Sequence, residues 1–243
     1  MPDFRDSFYH HYVSKFKESG SQLDGDAVNY YFRWCEDKYL PLFKGMGPDA
    51  NILELGCGPG YMLEFLRRQG YRYVKGIDIS KEQVDLAKER GCDAEVINVS
   101  EFLGRTEEVF DAIIALDFIE HFQKEELIPL VQLIFKSLNN GGRLILHTPN
   151  GAGLFPGQII YGDLTHLTIF TPHSMKQLLK AAGFNNFAFY ETTLVPRNIL
   201  GGFRLLLWKM IKFFASSIRR IETGKVQTIW TENMICACEK SIS

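Results

Sequence analysis

The stretch Glu54-Leu-Gly56-Cys-Gly58-Pro-Gly60 sets three glycines at alternate positions, directly after an apolar run and directly before an amphipathic one. Glycines let a chain turn sharply and let a ligand approach the backbone, and the N-terminus of a following helix aims its N–H groups at that ligand. Asp78 ends the next apolar run, where a carboxylate can accept both hydroxyls of a ribose. The GxGxG spacing, Glu54 ahead of it and the bulky Tyr61 behind it separate this turn from a GxGxxG pyrophosphate site, which needs a small residue where Tyr61 stands. An NAD-dependent oxidoreductase is therefore disfavoured.

A second group is Asp117-Phe-Ile-Glu120-His121, which follows another apolar run, with His166 later in Tyr161-Gly-Asp-Leu-Thr-His166. Two carboxylates and imidazole at this spacing can converge on one divalent ion. A hydroxyl acceptor would need such an ion, or a base, to lose its proton, whereas an amine or carboxylate attacks unaided. Without an ion, His121 or His166 is the candidate general base, because a near-neutral imidazole suits that work. A loop-shaping role without metal is the competing reading. His147 and Asn150 end a further apolar run and are placed either to line an acceptor pocket or to satisfy loop hydrogen bonds. Tyr31-Phe-Arg33 is a candidate lid, with core packing the alternative for Tyr31. His10, His11 and His173 have no discernible partners and are assigned to the surface.

These residues need a scaffold that brings strand ends to one edge. Apolar runs predict strands at Asn51–Leu55, Tyr73–Ile79, Ala94–Asn98, Phe110–Leu116, Arg143–His147, Phe184–Thr193 and Val226–Cys238. Helical periodicity falls between them at Tyr61–Arg68, Lys81–Glu89, Lys124–Ser137 and Pro172–Ala182, and earlier around Tyr30–Leu42. Short strands alternating with such helices predict an α/β fold: a doubly wound, mainly parallel seven-stranded sheet with an antiparallel last strand. A chain of 243 residues suits one such domain, 51–243, behind an N-terminal helical cap, 1–50, and with an amphipathic insertion at 196–224.

Composition narrows the class further. A net charge of −2 with mixed signs argues against a general nucleic-acid binder. Cys35, Cys57, Cys92, Cys236 and Cys238 are odd in number and lack CxxC spacing, which points to neither a disulfide framework nor a zinc site. Cys236 and Cys238 should share one buried face of a strand. Met1–Tyr12 lacks the apolar core of a signal peptide, so a reducing cytoplasm is the expected location.

From Asn51 to Asn150 the motifs ELGCGPG (54–60), Asp78 in GIDIS, FDAIIALDFIEHF (110–122) and GGRLILHTPN (141–150) resemble, in order and spacing, those of the class I S-adenosylmethionine-dependent methyltransferases, whose fold is Rossmann-like. The resemblance implies S-adenosyl-L-methionine as cofactor. Gly56, Gly58 and Gly60 would then lie against its methionine part, Asp78 hold the ribose and Ile79 pack on the adenine. Asn98 stands where the family often has Asp near the adenine amine, and Glu54 and Leu116 complete the expected site. The D/E-x-x-E-H run resembles an element of metal-dependent small-RNA 2′-O-methyltransferases and ubiquinone-biosynthesis O-methyltransferases. It implies Mg²⁺ or Mn²⁺ on Asp117, Glu120, His121 and His166.

Between the last two predicted strands, Leu200, Phe203, Leu206, Leu207, Met210, Ile211, Phe214, Ile218 and Ile221 fall on one helical face. Arg204, Lys209, Lys212, Arg219 and Arg220 fall on the other, and no acid interrupts Thr192–Ile221. The helix is too often charged to span a bilayer. Residues 199–221 could instead lie in a membrane interface with Trp208 at the boundary, pack on the domain, or join two subunits in a homodimer. The C-terminal half also resembles methyltransferases encoded with bacterial surface-polysaccharide genes, which implies a hydroxyl of a sugar or lipid-linked glycan as acceptor. An O-methyltransferase of a quinone precursor or other small hydroxylated molecule is the runner-up, and a cofactor-binding partner subunit without acceptor chemistry is the non-enzymatic alternative.

Overall fold

The computed structural model describes residues 24–241. His10, His11 and Met1–Tyr12 lie outside the described residues. β1 (Asn51–Leu55), β2 (Tyr73–Asp78), β3 (Asp93–Val96), β4 (Phe110–Leu116) and β5 (Leu138–Pro149) run parallel in one sheet. β6 (Phe184–Glu191) takes the far edge, and β7 (Asn233–Lys240) is inserted antiparallel between β5 and β6. The strand order is β3-β2-β1-β4-β5-β7-β6. This is the doubly wound, seven-stranded α/β sheet with an antiparallel last strand that the sequence pattern predicts.

The central strands are apolar on both faces, because helices cover both. On one face α1 (Gly25–Lys38), α2 (Tyr61–Arg68) and α3 (Lys81–Glu89) bury Phe32, Phe65, Val84 and neighbours against Ile52, Ala112, Ile114 and Ile235. On the other, α4 (Val99–Arg105) and α5 (Lys124–Ser137) meet Leu53, Leu55, Ile113 and Leu144. α6 (Gly157–Tyr161) is a short turn of helix with no buried residue, and α7 (Pro172–Ala181) joins α4 and α5 through Met175 and Leu179. Residues 25–43 are thus continuous with the sheet's core: Cys35, Tyr39 and Phe43 are buried. All five cysteines are buried, and Cys236 and Cys238 share one core face.

The elements differ from the sequence pattern where side chains redirect the backbone. β7 begins at Asn233, not Val226, because Gln227 donates to the Ala152 and Ile229 carbonyls and Trp230 donates to Ser216 and the Gln227 carbonyl. Those polar groups tie 227–231 to a loop. β5 starts at Leu138, where a register irregularity between Phe110 and Ala112 admits extra residues and Asn139 donates to Asp111. The predicted strand end at Asn98 is a helix cap, its Oδ1 accepting from the Ser100 N–H at 2.8 Å.

The insertion forms α8 (Ile199–Thr223), capped by Asn198 at its start and by left-handed Gly224 at its end. Its apolar face does not pack on the described residues of the domain. Leu200, Phe203, Met210, Phe214 and Ile218 are all exposed, while Leu205, Trp208, Lys212, Ala215 and Ser216 form the partly covered side. Two expectations are corrected here. Trp208 faces the domain rather than a boundary, and Lys212 turns inward to pair with Glu191. No described helix is long and apolar enough to cross a membrane.

Candidate active site at the carboxyl edge of the sheet

A cavity of about 710 Å³ opens at the carboxyl ends of β1, β2 and β4, between α3, α4 and α5. Its walls include Gly56, Gly58, Asp78, Ile79 and Asn98, together with Asp117 and His121. Strand-to-helix turns converge there because parallel strands all release their chains at the same edge. Asp78 holds the turn in shape: its Oδ2 accepts the Gly58 N–H at 2.9 Å and its Oδ1 the Ser80 N–H at 2.8 Å. Gly56 (φ +67°) and Gly58 (φ +52°) are left-handed, and a Cβ on Gly56 would strike the Phe118 ring at 2.6 Å.

Glu54, Gly60 and Leu116 are not among the residues that line this cavity. Gly60 is a packing glycine. A Cβ there would meet Ala87 Cβ at 2.9 Å and Cys92 Sγ at 3.3 Å, so its lack of a side chain lets α2 dock on α3. Glu54 is buried with Oε2 unpartnered, and burial, then the Asp78 charge, pushes its carboxyl well above the ordinary range. Tyr31 lies nearby, stacked on Trp34 and edge-on to Tyr61, while Arg33 is exposed. Sequence reasoning missed Ser80, Gln83, Phe118 and Phe122 on the cavity wall. The Ser80 cap of α3 was the available signal.

The second cluster divides. Asp117 has a left-handed backbone (φ 48°), its N–H bonding to the His147 carbonyl at 3.0 Å. Its Oδ1 lies 2.8 Å from His147 Nδ1. Burial works to raise its pKa, but His147 first, then His121 and His166, hold the carboxyl below its ordinary value. Its side chain is nonetheless open to the cavity, which tempers that burial. His147 also sets its ring edge-on to Trp34. Asn150, buried, ties the Ile229 and Thr231 carbonyls and the Ala152 N–H, so it is a loop organiser. His173 is exposed.

Glu120, His121 and His166 do converge, with one ligand atom from each lying within 4.8 Å of the others. Thr148 Oγ donates to Glu120 Oε2 at 3.1 Å, whereas the buried Oε1 has no partner. Burial, and then Asp117, push the Glu120 carboxyl up to about 8. His121 Nδ1 lies 3.0 Å from the Thr165 carbonyl and His166 Nδ1 2.9 Å from that of Ile159. A carbonyl acceptor beside Nδ1 assigns a proton to that nitrogen in each ring. The Leu167 and Thr168 N–H groups bond to the Glu120 carbonyl, which fixes the loop bearing His166 to the strand-end turn. Burial lowers the pKa of His121, which favours its neutral form.

The sheet order, the left-handed glycines at the first turn and the carboxylate at the end of β2 define a class of nucleoside-cofactor enzymes. A family model described as a methyltransferase domain matches residues 28–188, more than half the chain, and the chain belongs to that family. It is a class I S-adenosylmethionine-dependent methyltransferase. A ubiquinone biosynthesis O-methyltransferase of Aeromonas salmonicida is 26% identical over 62% of this chain and 67% of its own. One of Xylella fastidiosa is 32% identical over 42% of each chain, and a probable human tRNA methyltransferase 9B is 32% identical over 48% of this chain and 26% of its own. The chain thus spans about two thirds of the first relative and less than half of the other two. Among solved structures, a SAM-dependent methyltransferase from Archaeoglobus fulgidus superposes with a TM-score of 0.67 at 20% identity, over 96% of this chain and all of that one.

Proposed function

We propose that the chain transfers the methyl group of S-adenosylmethionine to a hydroxyl oxygen of a small amphiphilic acceptor. The observation that carries this reading is the convergence of Glu120, His121 and His166 beside the cofactor-sized cavity, with the buried Glu120 Oε1 lacking a partner. An amine acceptor would need no such group. The cavity fits the cofactor: its volume lies in the ordinary range for small-molecule sites, Asp78 presents a carboxylate to a ribose, and Ile79 offers an apolar wall to a base. Asn98 Oδ1, though capping α4, retains a second lone pair for an adenine amine. When bound, the cofactor supplies an electrophilic sulfonium methyl. The protein's part is to align the acceptor oxygen in line with that methyl, at roughly 3 Å.

The cluster also fits a divalent ion, with one carboxylate and two imidazoles as donors whose Nδ1 partners orient them. That donor set suits Mn²⁺ better than Mg²⁺, which prefers oxygen ligands. Glu120, His121 and His166 would hold it, and Asp117, turned to His147, would not join without rotating. An ion there would acidify the acceptor hydroxyl, and in its absence the Nε2 of His121 or His166 is the base. The names of the relatives favour a hydroxylated quinone precursor, while the polysaccharide-cluster resemblance favours a sugar or lipid-linked glycan in the cytoplasm. Labelled-cofactor assays against catechols, nucleotide sugars and lipid-linked glycans test the reading. Methylation confined to amines would overturn it. Activity that survives exhaustive chelation would remove the ion and leave the histidine base.

A further inference from the structure

The exposed face of α8 has no counterpart among the described residues, yet its root is fixed at the edge where the proposed chemistry sits. β7 pairs Met234 with both Thr148 and Glu191, so β6 ends beside the strand end that carries Thr148, the partner of Glu120. From there the chain returns along α1, with the Trp34 indole donating to the Thr193 carbonyl and Arg197 over the Tyr30 ring at 3.6 Å. The side of α8 that carries Lys212 and Ser216 is then anchored. Glu191 accepts from Lys212 and from the Trp230 N–H, and the Trp230 indole donates to Ser216 at 3.0 Å. Anchoring on this side points Ile199, Phe203, Leu206, Met210, Phe214 and Ile221 away from the protein, with Ile199 93% and Ile221 87% exposed.

Two further observations say what covers that face. The first is charge: Arg204 borders the apolar stripe on one side, Lys209 and Arg220 border it on the other, and no acid lies between Thr192 and Ile221. A stripe flanked by cations on both margins matches the depth profile of an anionic bilayer surface, where the apolar face enters the acyl boundary and the cations meet phosphates. The second is continuity. The 227–231 segment beneath α8 also holds the 152–154 loop, through Gln227 to the Ala152 carbonyl and the Leu154 N–H to the Trp230 carbonyl. That loop leads into Phe155, Tyr161 and Leu164, which are 71%, 83% and 75% exposed, and on to His166.

We propose that α8, together with the apolar lip of Phe155, Tyr161 and Leu164, docks the enzyme on an anionic lipid bilayer and that the acceptor is a hydroxylated head carried on a membrane-embedded apolar tail. The docking stands on the helix alone, whereas the acceptor class rests on the O-methyl transfer reading. The head then approaches Glu120, His121 and His166 past the lip while the tail remains in the bilayer.

Flotation of the full chain with vesicles of mixed phosphatidylglycerol and phosphatidylcholine, against pure phosphatidylcholine, tests the docking, with light scattering to record its oligomeric state. The expected result is binding to the anionic vesicles only, weakened by salt. Lys209→Glu should lower the partition coefficient about fivefold or more, and Met210→Glu, on the exposed stripe, about tenfold or more. Unchanged circular dichroism would show that both variants fold. Equal binding to both vesicle types, no binding, or a stable dimer that hides the stripe from vesicles would each overturn the docking. Transfer of the labelled methyl group to a long-chain catechol or a long-chain amine, each embedded in the same anionic vesicles, separates the two readings. Vesicle binding with methylation of the amine alone defeats the O-methyl reading and leaves the docking, whereas methylation of the catechol without vesicle binding defeats the docking alone.

Discussion

Asp78 accepts two backbone N–H groups and so shapes the glycine turn, and in the proposed function the same carboxylate takes the ribose. Asp78→Ala removes the acceptor of two hydroxyl bonds, at roughly 1.5–3 kcal/mol for each bond to a charged group. Calorimetry is expected to show S-adenosylhomocysteine affinity lowered at least tenfold, and an unchanged affinity would refute the assignment. Glu120 gives a pH signature. Its folded pKa of about 8 lies above the ordinary 4.5, so between those values the folded chain binds more protons than the unfolded one. Stability therefore falls as pH rises through that window. In chelator-treated protein, urea titrations should show a steeper loss with rising pH for the native chain than for Glu120→Gln. Matching slopes would mean that Glu120 is ionised throughout.

At the scale of elements, the three glycines of one motif do different work. The structure puts Gly60 at the α2–α3 contact, where an added Cβ meets the backbone of Ala87 at 3.1 Å in a left-handed conformation (φ +81°). Gly60→Ala should lower unfolding free energy by about 2–4 kcal/mol, from backbone strain and overpacking together. Gly56→Ala meets the Phe118 side chain, which is part of the cavity wall. Its larger effect is expected on cofactor affinity, read by calorimetry beside the urea midpoint. If both variants lose stability equally and keep full affinity, this division is wrong. Spacing alone made the motif legible but not the division of labour, because which neighbour fills a missing Cβ depends on how α2 and α3 cross.

Across the whole molecule, stability resides in the two apolar layers flanking the sheet and not in α8. Ile113→Ala, at a fully buried position of β4, should cost about 2–5 kcal/mol. Phe214→Glu, on the exposed stripe of α8, should stay within about 0.5 kcal/mol of the native chain. Denaturant midpoints check the pair, and a large loss for Phe214→Glu would mean that this face is covered in the folded chain.

The sequence by itself determined the sheet, the glycine turn and the pairing of Glu120 with His121, because each rests on local signals, whereas His166 came in through the family resemblance and only the folded chain brings it to the pair. Strand and helix periods are read over a few residues, GxGxG forces a turn, and E-H spacing places two side chains on one short turn. The antiparallel last strand was legible too, because the connection before it, with its insertion at 196–224, is not a helix-only crossover of the usual kind. Tertiary structure alone decided that Asp117 turns to His147, since the two are thirty residues apart and meet only because β4 and β5 pair Leu116 with His147. It likewise decided which side of α8 faces the domain. Periodicity shows that a helix has two faces, but the contacts of Lys212 with Glu191 and Ser216 with Trp230, set by the antiparallel packing of β7 between β5 and β6, choose the side of Trp208, Lys212 and Ser216 to face inward and leave the stripe of Phe203, Met210 and Phe214 outside.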